Sequence, residues 1–334
     1  MGQVISVVGA TTAIGRVVLN VLSEQGYPRD GVVAVSCSEG VGKSVSYGEG
    51  FNLVCAGIEG YDFSKAAVAV FAASDAISER YVGKAASCGC VVVDHSSFSR
   101  TNDDVSLVVP GVNDLDVGLY KKGSIVATVG SCASVIATVL YPLHKFGNIE
   151  RVVVSTYHSV SHLGRDAMTE LYDQTKSILM NKKAVGNEFA KQISFNCIPC
   201  VGELNNEGCA EEETLISGEL NMVLGGVHAV VSCSIVPVFV SHSAWVNVEF
   251  SRQVSVGDVF DLLEEAPNVL VVDRGSDMGY ITPIDCVNDD EVYVSRIRMD
   301  STVPHGLSMW ISADNLRRSA LDLVSVAKAA MENL

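Results

Sequence analysis

The pattern of apolar residues changes character near Arg151, and that change constrains the fold more than any other feature of this 334-residue chain. Before it, short continuous apolar runs recur at Val4–Val8, Val32–Val35, Ala67–Ala72, Val91–Val93, Leu107–Val109 and Ile125–Val129. Runs without alternation belong to strands covered on both faces, as in a parallel α/β sheet. Between the first two, Ile14, Val17, Val18, Val21 and Leu22 fall on one face of a helix, stopped by Gly26 and Pro28. After Arg151 the segments Val152–His162, Val230–His242, Trp245–Phe250 and Glu291–Met299 alternate instead. Alternation marks strands with one covered and one freer face, as in an α+β domain. The chain ends on a helical stripe, Ala320, Leu323, Ala327 and Ala330/Met331, expected to pack back on the first domain. No internal repeat or low-complexity linker interrupts this plan.

Length alone favours two domains over a single core. With 48% hydrophobic and 19% charged residues the chain has the composition of a packed globular protein. Its net charge of −16 repels nucleic-acid backbones and anionic lipid, so neither is an expected partner, and an anionic substrate needs a local basic cluster. The ten cysteines are spread along the chain. With Met1-Gly2-Gln3 running straight into an apolar strand and no signal-like segment, they read as free thiols in a reducing cytosol.

Two short segments carry chemistry. Gly9-Ala10-Thr11-Thr12-Ala13-Ile14-Gly15 joins the first strand to the first helix, where backbone amides and the helix dipole suit a pyrophosphate; Thr12 stands where a middle glycine is usual. Glu39, after the second strand, is either the ligand of a ribose 2′-hydroxyl or a solvated loop glutamate. Cys132, in Val129-Gly130-Ser131-Cys132-Ala133-Ser134, follows a buried strand and opens a helix, whose positive end favours thiolate. Taken alone it reads better as a small buried hydrophobe, which is what most free cysteines are. His242 is expected at the end of a long strand, facing a cleft, as a proton partner for that thiol. Cys197-Ile198-Pro199-Cys200 lacks the second ligand pair a zinc site needs, and Cys88-Gly89-Cys90 reads as structural, so no metal is expected.

Several segments, in order, resemble bacterial aspartate-β-semialdehyde dehydrogenases: Val7-Val8-Gly9-Ala10-Thr11, Val109-Pro110-Gly111-Val112-Asn113, Val153-Val154-Ser155-Thr156-Tyr157, Asn196-Cys197-Ile198-Pro199, Val236-Pro237-Val238, Tyr293-Val294-Ser295-Arg296 and Ala313-Asp314-Asn315-Leu316-Arg317. The resemblance implies a glyceraldehyde-phosphate-dehydrogenase-like fold. Its parts are a Rossmann-type dinucleotide-binding domain over 1–130, completed by a C-terminal helix over 314–334, and a mixed or antiparallel-sheet catalytic and dimerisation domain over 131–313. It implies a homodimer that uses NADP or NAD to interconvert β-aspartyl phosphate and aspartate β-semialdehyde through a thioester. That reaction serves the biosynthesis of lysine and diaminopimelate, threonine and methionine.

By the same resemblance Cys132 is the nucleophile and His242 the acid–base histidine. Arg100 binds phosphate, Glu212 takes the substrate ammonium, and His158 stands at a substrate-contacting position. Gly9, Thr11, Thr12, Ala13, Ile14, Gly15, Glu39, Ser161 and Asn315 fall at cofactor positions. The chain departs from the family pattern at Ser131 and His158, which stand for an asparagine and a glutamine, and at Ser161-His162-Leu163-Gly164. Ile235 and Leu215 stand where the family has a carboxylate-binding arginine and a phosphate-binding lysine. Glu39 aligns with an arginine that meets the NADP 2′-phosphate, and a carboxylate there predicts that NAD serves at least as well. A related thiol dehydrogenase with another acyl phosphate or aldehyde, and a catalytically weak nucleotide-binding paralogue, are the alternative readings.

Overall fold

The computed structural model describes residues 4–113, 120–272 and 279–334; Met1–Gln3 lie outside them. The chain divides into two compact units, one formed by Met1–Val129 with Ser319–Leu334 and one by Gly130–Arg318.

In the first unit, in chain order, β1 (Ile5–Val8), α1 (Ala13–Glu24), β2 (Val32–Ser36), β3 (Ser44–Ser46), β4 (Asn52–Val54), β5 (Ala56–Gly57) and β6 (Val68–Phe71) are followed by α2 (Asp75–Ser87), β7 (Val91–Asp94), α3 (Ser97–Arg100), β8 (Ser106–Val108) and β9 (Ile125–Thr128). Its main sheet has the order β5-β2-β1-β6-β7-β9-β8 among the described residues, with every neighbouring pair parallel. Strands β1, β6 and β7 are buried along their whole length, which is why their sequences carry apolar residues without alternation. Val18, Leu19, Val21 and Leu22 of α1 share this core with Ala320, Leu323, Ala327, Ala330 and Met331 of the last helix, α8 (Asn315–Glu332).

The second unit runs through α4 (Ser131–Gly147), β10 (Ile149–His158), α5 (Arg165–Leu179), α6 (Glu211–Val223), β11 (Ala229–Ile235), β12 (His242–Phe250), α7 (Val256–Glu264), β13 (Val269–Val271), β14 (Val292–Asp300) and β15 (Gly306–Ala313). Its sheet, β11-β10-β12-β15-β14-β13, is mixed: β10 pairs with β11 and β13 with β14 in parallel, and the other pairs are antiparallel. In β12, Ala244, Val246, Val248 and Phe250 are buried while Trp245, Asn247 and Glu249 are half-exposed, the alternation its sequence shows. On the freer face Trp310 lies 6.0 Å from Trp245 and 5.5 Å from Tyr157 between ring centroids, and Arg298 sits over Trp245.

Two segments differ from their sequence reading: in Val152–His162 the strand ends at His158 and a single helical turn, Val160–Leu163, follows it. The apolar run Val230–His242 is not one strand: β11 ends at Ile235, and His242 is the first residue of β12 rather than the end of a strand. Pro237 cannot donate to a ladder, and Ser241 adopts a left-handed φ of 78°, so the chain breaks between the two strands. Among the described residues no helix is long and apolar enough to cross a membrane, and all ten cysteines are free.

Candidate functional site

In the first unit the β1–α1 turn is shaped by close backbone approach. Gly9 has φ +84°, and a Cβ there would stand 2.2 Å from the Ala72 carbonyl oxygen. A Cβ on Gly15 would stand 2.1 Å from the Gly9 oxygen. Thr12 fills the expected place of a glycine because it caps the helix: its Oγ1 accepts from the Gly15 amide at 3.0 Å and donates to the Ala72 carbonyl at 2.9 Å. Ala13 and Ile14 open α1, where first-turn amides have no acceptor within their own helix. Beside the turn lies a cleft of about 340 Å³, lined by Gly9, Thr11, Thr12 and Ser36 and walled by Glu39 and Gly40 in the single turn after β2. Thr11 and Ser36 share a 2.9 Å hydrogen bond across it. Glycines too tight for any Cβ, free helix-start amides and a carboxylate on the wall suit a dinucleotide, with the pyrophosphate at α1 and a ribose toward Glu39.

Arg100, also in the first unit, is the last residue of α3. The buried Asp94 carboxylate at the end of β7 anchors this helix, accepting from the hydroxyls of Ser96 and Ser99 and from Ser78.

In the second unit Cys132 is the second residue of α4 and is buried. The helix has no side-chain cap, and the amide of its N-cap, Gly130, donates to Glu219 Oε2 at 2.9 Å. Burial pushes the thiol well above its ordinary 9.0, and the charges of Cys233, Glu212 and Glu219 push it further. The thiolate expected from the helix start is therefore outweighed: desolvation and two carboxylates oppose the dipole, and the resting group is a thiol. Glu212 and Glu219 are both buried on α6 and stand seven residues apart, on one face. Glu213 ties this helix to β11 by accepting from the Cys233 amide at 2.9 Å.

Three histidines gather in the same unit. His158 ends β10, His162 lies in the single helical turn Val160–Leu163, and His242 opens β12. Ring centroids are 4.6 Å apart for His158 and His242, 4.9 Å for His158 and His162, and 5.6 Å for His162 and His242. His242 Nδ1 accepts from the Ser159 amide at 3.1 Å, so the neutral ring carries its proton on Nε2. That Nε2 is buried and has no hydrogen-bond partner, and neither has either nitrogen of His158. No hydrogen bond therefore joins His242 Nε2 to Cys132 in this structure. Burial holds both rings well below the ordinary 6.5, His158 further lowered by His242 and His162, and His242 by His162.

Behind His242, Asn315 Oδ1 accepts from Ser159 Oγ, Ser161 Oγ and the Ser241 amide at 3.2, 3.1 and 3.0 Å. Ser161 and Asn315 thus form part of the support of His242. Glu212 joins the two groups: its charge acts on Cys132, and its Oε2 lies 3.9 Å from His162 Nε2. Ile235 is buried, paired in register with His158 and bridged to Ile198, so the position carries no charged contact. Leu215 is half-buried on α6. Of the arginines that could replace the basic groups missing at Ile235 and Leu215, Arg298 is held over Trp245, Arg296 is exposed in β14 with a left-handed φ of 58°, and Arg165 is exposed at the start of α5, three residues after His162.

Sequence reasoning missed Glu219, Ser159 and the gathering of His162 with the other two histidines. The i, i+7 spacing of Glu212 and Glu219 was the one available signal, because it puts two carboxylates on one helix face, and carboxylates are costly to bury unless used.

A family model described as "Semialdehyde dehydrogenase, NAD binding domain" matches residues 4–119, and one described as "Semialdehyde dehydrogenase, dimerisation domain" matches residues 140–318. The chain is 40% identical to the aspartate-semialdehyde dehydrogenase of Rickettsia bellii, over 97% of this chain and 96% of that one. It is 35% identical to that of Aquifex aeolicus, over 96% and 95%. Among solved structures it resembles aspartate semialdehyde dehydrogenase II of Vibrio cholerae with a TM-score of 0.94 and 30% identity, covering 99% of each chain, and equally the form of that enzyme complexed with ASA.

Proposed function

Because the chain belongs to the aspartate-semialdehyde dehydrogenase family, we propose that it interconverts β-aspartyl phosphate and aspartate β-semialdehyde through a thioester on Cys132. The observation that carries this reading is the linked set in the second unit: a buried helix-start thiol, a buried carboxylate acting on it, and that carboxylate's approach to the histidines around His242. A nicotinamide cofactor would supply or accept the hydride, and the Gly9–Gly15 turn and Glu39 of the first unit are the residues that would hold it.

In the biosynthetic direction Cys132 attacks the acyl phosphate carbonyl and phosphate departs, with Arg100 assigned to the phosphate. The Cys132 proton passes to His242 Nε2 once the ring's own proton has moved to Nδ1, where Ser159 Oγ, 3.1 Å away, accepts its hydrogen bond; the Nε2–H so formed is then the donor to the oxygen that becomes negative. Glu212 is assigned to the substrate ammonium, and this assignment has a consequence for the thiol. Burial is the main cause that holds Cys132 protonated, and Glu212 adds to it; an ammonium that pairs with Glu212 cancels that added charge, so substrate binding eases the thiol's ionisation.

We further assign a homodimer built on the freer sheet face bearing Tyr157, Trp245 and Trp310, where a half-exposed aromatic group suits a partner. A cytoplasmic site of action is supported by ten unpaired thiols. The reaction is tested by incubating the protein with aspartate semialdehyde, phosphate and NAD or NADP and following reduced-cofactor absorbance. Turnover that vanishes in Cys132→Ser is expected; undiminished turnover in that variant would sink the proposal.

A further inference from the structure

We propose that His158, His162 and His242 form a binding site for a divalent transition-metal ion of the zinc class, one ion per chain. One ring nitrogen from each histidine can be chosen so that all three lie within 4.8 Å of one another. Sequence spacing pointed to no such site, because the three residues come from the end of one strand, a single turn and the start of another strand.

The second observation is the state of the nitrogens. Both nitrogens of His158 and Nε2 of His242 are buried without a hydrogen-bond partner, a condition native interiors avoid unless something else meets those atoms. Three imidazoles with a fourth position open are a donor set suited to zinc, copper, nickel or cobalt rather than to magnesium or calcium. His162 keeps 24% of its side chain exposed, which provides a way in. Glu212 Oε2, 3.9 Å from His162 Nε2, is at hand to orient that ring or to complete the coordination.

Proton accounting sets the character of the site. His242 holds its proton on Nε2, so an ion taking that nitrogen shifts the proton to Nδ1. Ser159 Oγ, 3.1 Å from Nδ1, accepts it, and the serine hydroxyl donates in turn to Asn315 Oδ1 at 3.2 Å. The number of protons is unchanged, and the ligand gains an outer support of the kind that fixes metal-bound imidazoles. The Ser159 amide loses its acceptor in exchange, so the ion is expected to come and go rather than stay. Binding depends only on the cluster's geometry. Its effect on turnover rests on the catalytic reading, since the ion would occupy the nitrogen assigned there as proton donor.

Cobalt(II) titration of the purified full-length protein tests the site. The expected result is saturation at one ion per chain, with visible d–d absorption and no thiolate-to-metal charge-transfer band. His162→Asn, chosen because this half-exposed turn residue tolerates change, should weaken cobalt affinity roughly 10-fold or more while the melting temperature stays near that of the parent. Cys197→Ser/Cys200→Ser, removing a thiol pair of which Cys197 is exposed and Cys200 half-buried, should leave the spectrum as it was. Absence of cobalt binding, a thiolate band lost with the serine pair, or unchanged affinity in His162→Asn would each overturn the proposal, whatever the enzyme's activity. Chelator-reversible inhibition by zinc, read separately, reports whether His242 is needed for turnover.

Discussion

Replacing Gly15 by alanine should damage the cofactor cleft out of proportion to the single methyl added. The new Cβ would stand 2.1 Å from the Gly9 oxygen, 2.8 Å from the Gly9 carbonyl carbon and 3.0 Å from Ala10 Cα. All three are backbone atoms that cannot swing aside. Ordinary contact begins near 3.4 Å, so α1 and the turn must part by about 1.3 Å (3.4 minus 2.1). Overpacking of this kind costs about 1–3 kcal/mol, here toward the upper end. The helix gains up to about 1 kcal/mol from losing a glycine, which leaves a net loss of about 1–2 kcal/mol. The same displacement pulls the helix-start amides away from the turn, so cofactor binding should weaken at least about 10-fold, the equivalent of one well-placed charged hydrogen bond. The control is Gly83→Ala in the exposed middle of α2, where a Cβ meets nothing within 4 Å. That variant should gain about 0.5–1 kcal/mol and bind cofactor as the parent does. Thermal unfolding and fluorescence titration with NADH read both effects. If Gly15→Ala matched Gly83→Ala in stability and kept the parent's Kd, the argument from close packing would be wrong.

Three further outcomes follow from the site. Cys132 lies well above 9.0, so it stays protonated at neutral pH, and its alkylation by iodoacetamide should accelerate with pH without levelling off below pH 9; Glu219→Gln removes one of the charges responsible and should move that profile to lower pH, and an unmoved profile would show that the carboxylate does not act on the thiol. The carboxylate of Glu39 on the cleft wall should make NAD at least as good a cofactor as NADP, and Glu39→Arg should shift kcat/KM toward NADP; a parent preference for NADPH would refute the assignment. Trp310→Arg, on the half-exposed aromatic face, should convert the dimer to monomers in sedimentation velocity, and an undisturbed dimer would place the interface elsewhere.

The sequence by itself determined the elements whose residues interact locally or through a simple period. Continuous apolar runs marked the parallel strands of the first unit, because both faces of β1, β6 and β7 are covered. The 3.6-residue spacing marked α1, and alternation marked β12 and its neighbours. Cys132 at a helix start and the glycines of the first turn were legible because each belongs to one strand–turn–helix step. Thr12 in that turn looked like a departure, and only the structure showed it to be the cap that replaces a glycine's function.

What needed the tertiary structure was whatever depends on burial or on distant segments meeting. The break before His242 arose from a proline and a left-handed serine inside a run that looks continuous in hydropathy. His158, His162 and His242 converge from β10, a turn and β12 only because β12 runs antiparallel beside β10. The state of Cys132 reversed for the same kind of reason. A helix dipole can be read from position in the chain, but desolvation and the charges of Glu212 and Glu219 exist only once α6 is packed, and in a water-poor interior those effects outweigh the dipole.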